Sequence, residues 1–167
     1  LKTDVFRDQV AYSRAMKERL REARAKDEAA RRAGAGEPEA IAAVERELAA
    51  APGGIADADA GVVIDLFLSY RSVKAWHRMI ALTTRMAAPL AATAMVQEQL
   101  AMALNRAGRR DEAEATLRAV VDRHGPSSET FGLLGRVYKD RWEEARAAGE
   151  PFAARAWLER AIEAYLR

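Results

Sequence analysis

The sequence predicts an all-α protein, a right-handed solenoid of about four antiparallel helical hairpins. Three observations carry that expectation. Half of the 167 residues are hydrophobic but only 7% are aromatic. Alanine supplies much of the remainder, and alanine, arginine and glutamate favour helix because they lose little side-chain entropy there. Apolar residues recur at helical spacing, and no stretch alternates as a strand does. The five prolines and ten glycines fall mostly between the periodic segments.

The first segment runs from about Asp4 to Arg32, with Phe6, Val10, Met16 and Leu20 as its apolar stripe. Its second half, "REARAKDEAARRA", is charge and alanine. It is expected to project or fray over Ala25 to Gly36, because little apolar surface offsets the ordering entropy. "GAGEPEA" breaks the helix, and Pro38 suits the first turn of the next. That helix, Pro38 to Ala50, turns Ile41, Val44 and Leu48 to one side, and "APGG" ends it. "GVVIDLFLSY", within a third segment from Asp57 to Tyr70, is apolar almost all round and should be central. A fourth segment spans Ser72 to Met86, a fifth Pro89 to Arg106 and a sixth Arg110 to Arg123. The seventh is "SSETFGLLGRVYKDRWEEA", with Phe131, Leu134, Tyr138 and Trp142 as its stripe, and the eighth runs from Pro151 to the end.

The hairpins repeat. "NRAGRRDEAEATLRAVVDRHGPSS" matches the second half of a tetratricopeptide repeat. Gly108 ends one helix, Ala113 is the small residue at the crossing, Leu117 and Val120 follow, and Gly125-Pro126 closes the unit. Ala75, Gly135 and Ala154 are read as further close crossings, where a small residue lets helices approach. Ala75, Ala113 and Ala154 lie 38 and 41 residues apart, so the repeat is divergent, with the extra length near "WEEARAAGEPF". Residues 1–167 are read as one domain: a long first helix at 1–32, a linker and second helix at 33–55, and three divergent hairpins at 56–167. The chain opens on Leu1, so it is expected to be a piece of a longer protein.

"DLFLSYRSVKAWHRMIAL" and "GPSSETFGLLGRVYKDRWEEA" resemble the TRAF-binding region of the apoptosis-signal-regulating kinases and of bacterial proteins that share it. "FRDQVAYSRAMKERL" resembles the bacterial branch. The resemblance implies a non-catalytic regulatory or scaffold module, linked to an upstream effector domain. By that resemblance the module is expected to bind a partner protein or an anionic ligand, in some bacterial members a nucleotide-derived one, in signalling, stress or immune response. No glycine-rich loop, "HRD" or "DFG" occurs, so kinase activity does not carry over.

In such a solenoid the first helix of each hairpin lines the concave face. By that register Met95, Glu98, Met102, Asn105 and Arg106 of one repeat meet Glu129, Gly132, Arg136, Lys139 and Asp140 of the next. Asn105, Arg106, Arg136 and Lys139 are expected to converge on one groove, with Glu98 beside them. Arg71 is a further candidate, as are Arg7 and Arg14 on the first helix. Guanidinium forks and ammonium groups close together suit a carboxylate or phosphate. A solvated face of mixed charge is the alternative. A nucleotide-processing enzyme on the same groove is the alternative function, with Glu98, Glu129 and Asp140 as its acid–base candidates.

Other chemistry is not expected. Without cysteine there is no thiolate metal site, disulfide or thiol catalysis. His77 and His124 have no partner at metal-ligand spacing, and Ser69, Ser127 and Ser128 have no visible base. No catalytic residue, metal or cofactor is therefore assigned. A net charge of +2 with no basic arm gives no case for nucleic acid. No apolar run reaches the roughly 20 residues of a membrane span, and no signal peptide is visible. The cytoplasm is the expected location, and a second copy of the chain is one more candidate partner.

Overall fold

A computed structural model describes residues 2–167, with side chains from Arg7 onward. Among these residues the chain forms ten helices and no strand. The chain divides into two compact units, one ending at Ala91 and the other beginning at Ala92.

The first unit holds α1 (Lys2–Arg32), α2 (Glu39–Ala50), the short α3 (Gly54–Asp57), α4 (Ala60–Ser72), α5 (Trp76–Thr83) and the short α6 (Ala88–Ala91). As its composition requires, α4 is central: Val62, Val63, Leu66, Phe67 and Tyr70 are each at most 1% exposed. Both α1 and α2 pack against it. The buried stripe of α1 is Met16, Leu20, Ala23 and Asp27. Val10 remains 41% exposed, beyond the point where the N-terminal turn of α4 meets Lys17. Phe6, expected in the same stripe, has its side chain outside the described residues.

The expected fraying of 25–36 is not what the fold shows. The helix continues unbroken to Arg32, and Asp27 anchors it. Asp27 Oδ1 accepts from Ala40 N at 3.0 Å and Oδ2 from Ile41 N at 2.8 Å. Pro38 stands at the N-cap of α2 and has no side-chain acceptor. A carboxylate from another helix therefore satisfies the free N–H groups of α2. Composition misleads here because a single buried carboxylate supplies the anchor that the apolar count lacks.

The second unit holds two hairpins, α7 (Ala94–Arg106) with α8 (Arg110–His124), and α9 (Ser128–Ala147) with α10 (Pro151–Tyr165). The fifth sequence segment is thus divided into α6 and α7. Thr93 separates them by capping α7, its Oγ1 accepting from Val96 N.

That cap exposes the true period. Asp59, Thr93 and Ser127 cap α4, α7 and α9 through the same contact to the backbone N–H three residues on, and they stand 34 residues apart. The closing turns repeat as well. Lys74, Gly108 and Gly149 have φ of 61°, 80° and 72°. The next residue in each case bonds back across the turn: Ala75 N to Tyr70 O, Arg109 N to Leu104 O and Glu150 N to Ala145 O, each at 2.9 Å. The counterpart of Ala113 is therefore Met79, the fourth residue of α5, and not Ala75. Ala75 is buried, but it lies in the turn before that helix. The lengthening in the last repeat is real and lies in α9, which has 20 residues where α4 and α7 have 13.

Gly135, Ala113 and Ala154 are buried as expected. A Cβ on Gly135 would meet the Tyr165 ring at 2.8 Å, so the close approach there is to an α10 side chain. Leu158 on α10 is 37% exposed, with no described helix covering that side.

Two stability outcomes are expected. Lys74→Gly should raise stability by about 0.5–1 kcal/mol, because a left-handed L-residue costs about 1–2 kcal/mol and glycine's extra unfolded-state entropy returns only part of that. Asp27→Ala should lower it by about 1–2 kcal/mol through loss of the cap on α2, with Asp27→Asn between the two. Denaturant melts of the three variants against the parent chain check both.

Candidate functional site

The first helices of the two hairpins in the second unit, α7 and α9, come into contact, and the polar residues between them interlock. Asn105, 4% exposed, donates from Nδ2 to Asp140 Oδ2 at 2.7 Å. Its Oδ1 accepts from Arg110 Nη1 at 2.9 Å, and the same nitrogen reaches the Asn105 carbonyl at 2.7 Å. Arg110 extends to Glu144, Nε to Oε1 at 2.8 Å. The Glu144 hydrogen bond holds the Arg110 pKa above its ordinary value, against a smaller effect of burial. The same contact holds the Glu144 carboxyl below the usual range. Arg136 Nε lies 3.1 Å from the second Asp140 oxygen, close enough for an ion pair but without hydrogen-bond alignment. Asp140 is thus a buried carboxylate compensated from both α7 and its own helix, as burial of a charge demands.

The groove beside this network is a hollow of about 150 Å³, with Met102, Leu133 and Val137 as walls and Asn105, Arg106 and Arg136 at its edge. Three of the four residues expected to converge therefore do so. Both faces of the Asn105 amide are occupied by protein. Lys139 does not line the hollow; it pairs along α9 with Glu143 at 3.5 Å. Glu98 accepts from Thr130 Oγ1 at 2.6 Å. Arg106 is exposed and has no carboxylate partner among the described residues. Arg71 belongs to the first unit, in the last turn of α4. By the 34-residue register it is the counterpart of Asn105 and Lys139. Arg7 and Arg14 are exposed on α1.

Among the described residues no group of histidine and acidic side chains is placed to hold a metal ion, and no helix is long and apolar enough to cross a membrane. His77 sits 3.6 Å from Glu37 at the surface, and His124 Nε2 lies 3.1 Å from the Ala92 carbonyl oxygen.

The repeat geometry agrees with comparison to known families. The model of the tetratricopeptide repeats-sensor family, TPR-S, matches residues 75–167, which is α5 through α10 and the whole of the second unit. The chain belongs to the TPR-S family. Comparison with curated proteins and with solved structures returned no match. Tetratricopeptide domains in general mediate protein interactions and are as a rule non-catalytic.

Sequence reasoning missed Arg110 and Glu144 as members of the network. The signal was present: Arg110 opens the second helix two residues after Gly108, where a long side chain can fold back on the end of the first helix.

Asn105→Ala should destabilise the protein by about 1.5–3 kcal/mol, the usual cost of losing a hydrogen bond to a charged group. Asp140→Ala should cost a similar amount, and the double variant less than the sum, with a coupling of about 0.5–3 kcal/mol. A double-mutant cycle by chemical denaturation measures this. Additive losses would mean that the contact contributes nothing of its own.

Proposed function

We propose that the chain is a non-catalytic sensor and scaffold module whose second unit receives an acidic group in the groove between α7 and α9. The observation that carries this reading is Arg106, a guanidinium without a carboxylate partner among the described residues, at the rim of an apolar hollow whose other cation is Arg136. A ligand that places an apolar group between Met102 and Val137 and an anion on Arg106 uses both features. A peptide with an acidic residue or C-terminal carboxylate next to an apolar side chain has that chemistry. So does a small nucleotide-derived anion. Lys139, on the same helix as Arg136, adds positive potential at the flank.

Acid–base catalysis fits less well. Glu98 is engaged by Thr130, and Asp140 is buried between Asn105 and Arg136. Of the three carboxylates a nucleotide-processing reaction would draw on, only Glu129 stands exposed with no side-chain partner among the described residues. The resemblance of residues 65–82 and 125–145 to the TRAF-binding region of the apoptosis-signal-regulating kinases supports a role in cytoplasmic signalling of the bacterial branch. There the module would regulate a linked upstream effector domain through a partner protein or ligand.

The test is titration of the 167-residue chain with acidic C-terminal peptides and a nucleotide panel, with product analysis of each mixture. Arg106→Ala should weaken binding about tenfold, the low end for a charged hydrogen bond, with an unchanged melting temperature because the side chain is exposed. Added salt should weaken binding further. Arg106 is the better probe than Arg136, whose removal also strips a partner from buried Asp140. Affinity indifferent to Arg106→Ala would eliminate the groove, and turnover of any nucleotide would eliminate the non-catalytic reading.

A further inference from the structure

A second cationic cleft lies on the other side of α9. At about 100° per residue, Phe131, Leu134 and Tyr138 project well away from Leu133, Arg136 and Val137. With α8 and α10 they enclose a cavity of about 230 Å³, rimmed by Arg118, Arg160, Arg167 and Glu163.

The three guanidiniums are held in different ways. Arg118 Nη2 donates to Tyr138 Oη at 3.0 Å and pairs with Glu114 at 2.9 Å. The Tyr138 phenol in turn donates to Glu114 at 3.0 Å, and burial, then that hydrogen bond, raises its pKa, so it stays a protonated wall of the cleft. Arg167 lies over the Phe131 ring at 5.5 Å and bonds Glu163 at 2.7 Å. Arg160 lies over the Trp157 ring at 4.8 Å, and Trp157 itself stacks on Tyr138 with centroids 6.0 Å apart. Arg160 has no carboxylate partner among the described residues. Stacking occupies the planar face of a guanidinium and leaves its N–H edge free. The aromatic column therefore fixes the position of the Arg160 charge without consuming its donors.

We propose that Arg118, Arg160 and Arg167 form a second anion site, separate from the α7–α9 groove, that takes a phosphate monoester. Two of the three cations already carry one carboxylate each, and Arg160 supplies the surplus charge. A tetrahedral dianion offers three oxygens to three forks, which a planar carboxylate does not. The cavity is larger than a phosphate group alone requires. The remaining space, bounded by Phe131 and Leu134, accommodates the carbon body that bears the phosphate, whether a free metabolite or a phosphorylated tyrosine side chain.

The experiment uses the full chain and phenyl phosphate as the probe, followed by titration calorimetry, with benzoate as comparator. Saturable binding of phenyl phosphate, tighter than that of benzoate, is expected. Arg160→Gln should weaken it about tenfold or more, in line with loss of a charged hydrogen bond. Arg160→Lys should fall between, because it retains the charge but not the fork. Arg106→Ala, in the other groove, should leave phenyl phosphate binding unchanged while weakening the ligands tested there, so the two sites fail independently. A phosphotyrosine peptide and a nucleoside monophosphate, run in parallel, identify the source by which binds tighter. No saturation at millimolar phenyl phosphate, equal affinity for benzoate, or indifference to Arg160→Gln with the melting temperature intact would each overturn the assignment.

Discussion

The hydrogen bond from Asn105 to Asp140 is the contact on which the second unit turns. Alanine-rich helices present shallow ridges, so their apolar packing resists separation better than it resists sliding. A buried amide and carboxylate are satisfied at one axial register only. Asn105 and Asp140 meet at 2.7 Å, and any sliding of α9 along α7 leaves a buried charge short of a donor. The arrangement of Arg106, Arg136 and the hollow beneath them follows from that register. So does the direction in which Arg110 folds back.

The same device recurs in the first unit. Asp27 closes the N-terminus of α2. Glu45, also buried, accepts from Tyr70 and pairs with Arg85. Tyr70 and Tyr138 occupy one position of the 34-residue register, and each donates its hydroxyl to a glutamate on a neighbouring helix. Desolvating a carboxylate costs several kcal/mol before its partners compensate. These contacts are therefore better understood as setting which helix faces meet than as net sources of stability. Small apolar side chains supply the burial, and the polar contacts choose the alignment.

This division of labour decides which cations are available for a ligand. Arg110 and Arg141 are spent on holding α8 to α9, Arg110 on Glu144 and Arg141 on Asp111, and Arg136 pairs within α9 with Asp140. Arg106 and Arg160 have no such duty. They sit on opposite flanks of the last hairpins, one above an apolar hollow and the other on an aromatic column. Each of the two proposed sites thus includes one charge that the fold positions but does not neutralise.

The sequence alone determined the helical class and the hairpin order, because alanine content, 3.6-residue periodicity and glycine placement are local properties, and its repeat register brought α7 and α9 side by side. It also held the 34-residue spacing of Asp59, Thr93 and Ser127, which is legible once caps rather than small core residues are aligned. Asn105, Arg106 and Arg136 were found by that register. Tertiary structure alone decided that Asp27 anchors the charged half of α1 and that Asp140 consumes Asn105, whereas the Lys139–Glu143 pair, four residues apart on α9, was open to reading from helical spacing. A polar side chain's role depends on which distant group meets it in space, and helical periodicity carries no record of that partner.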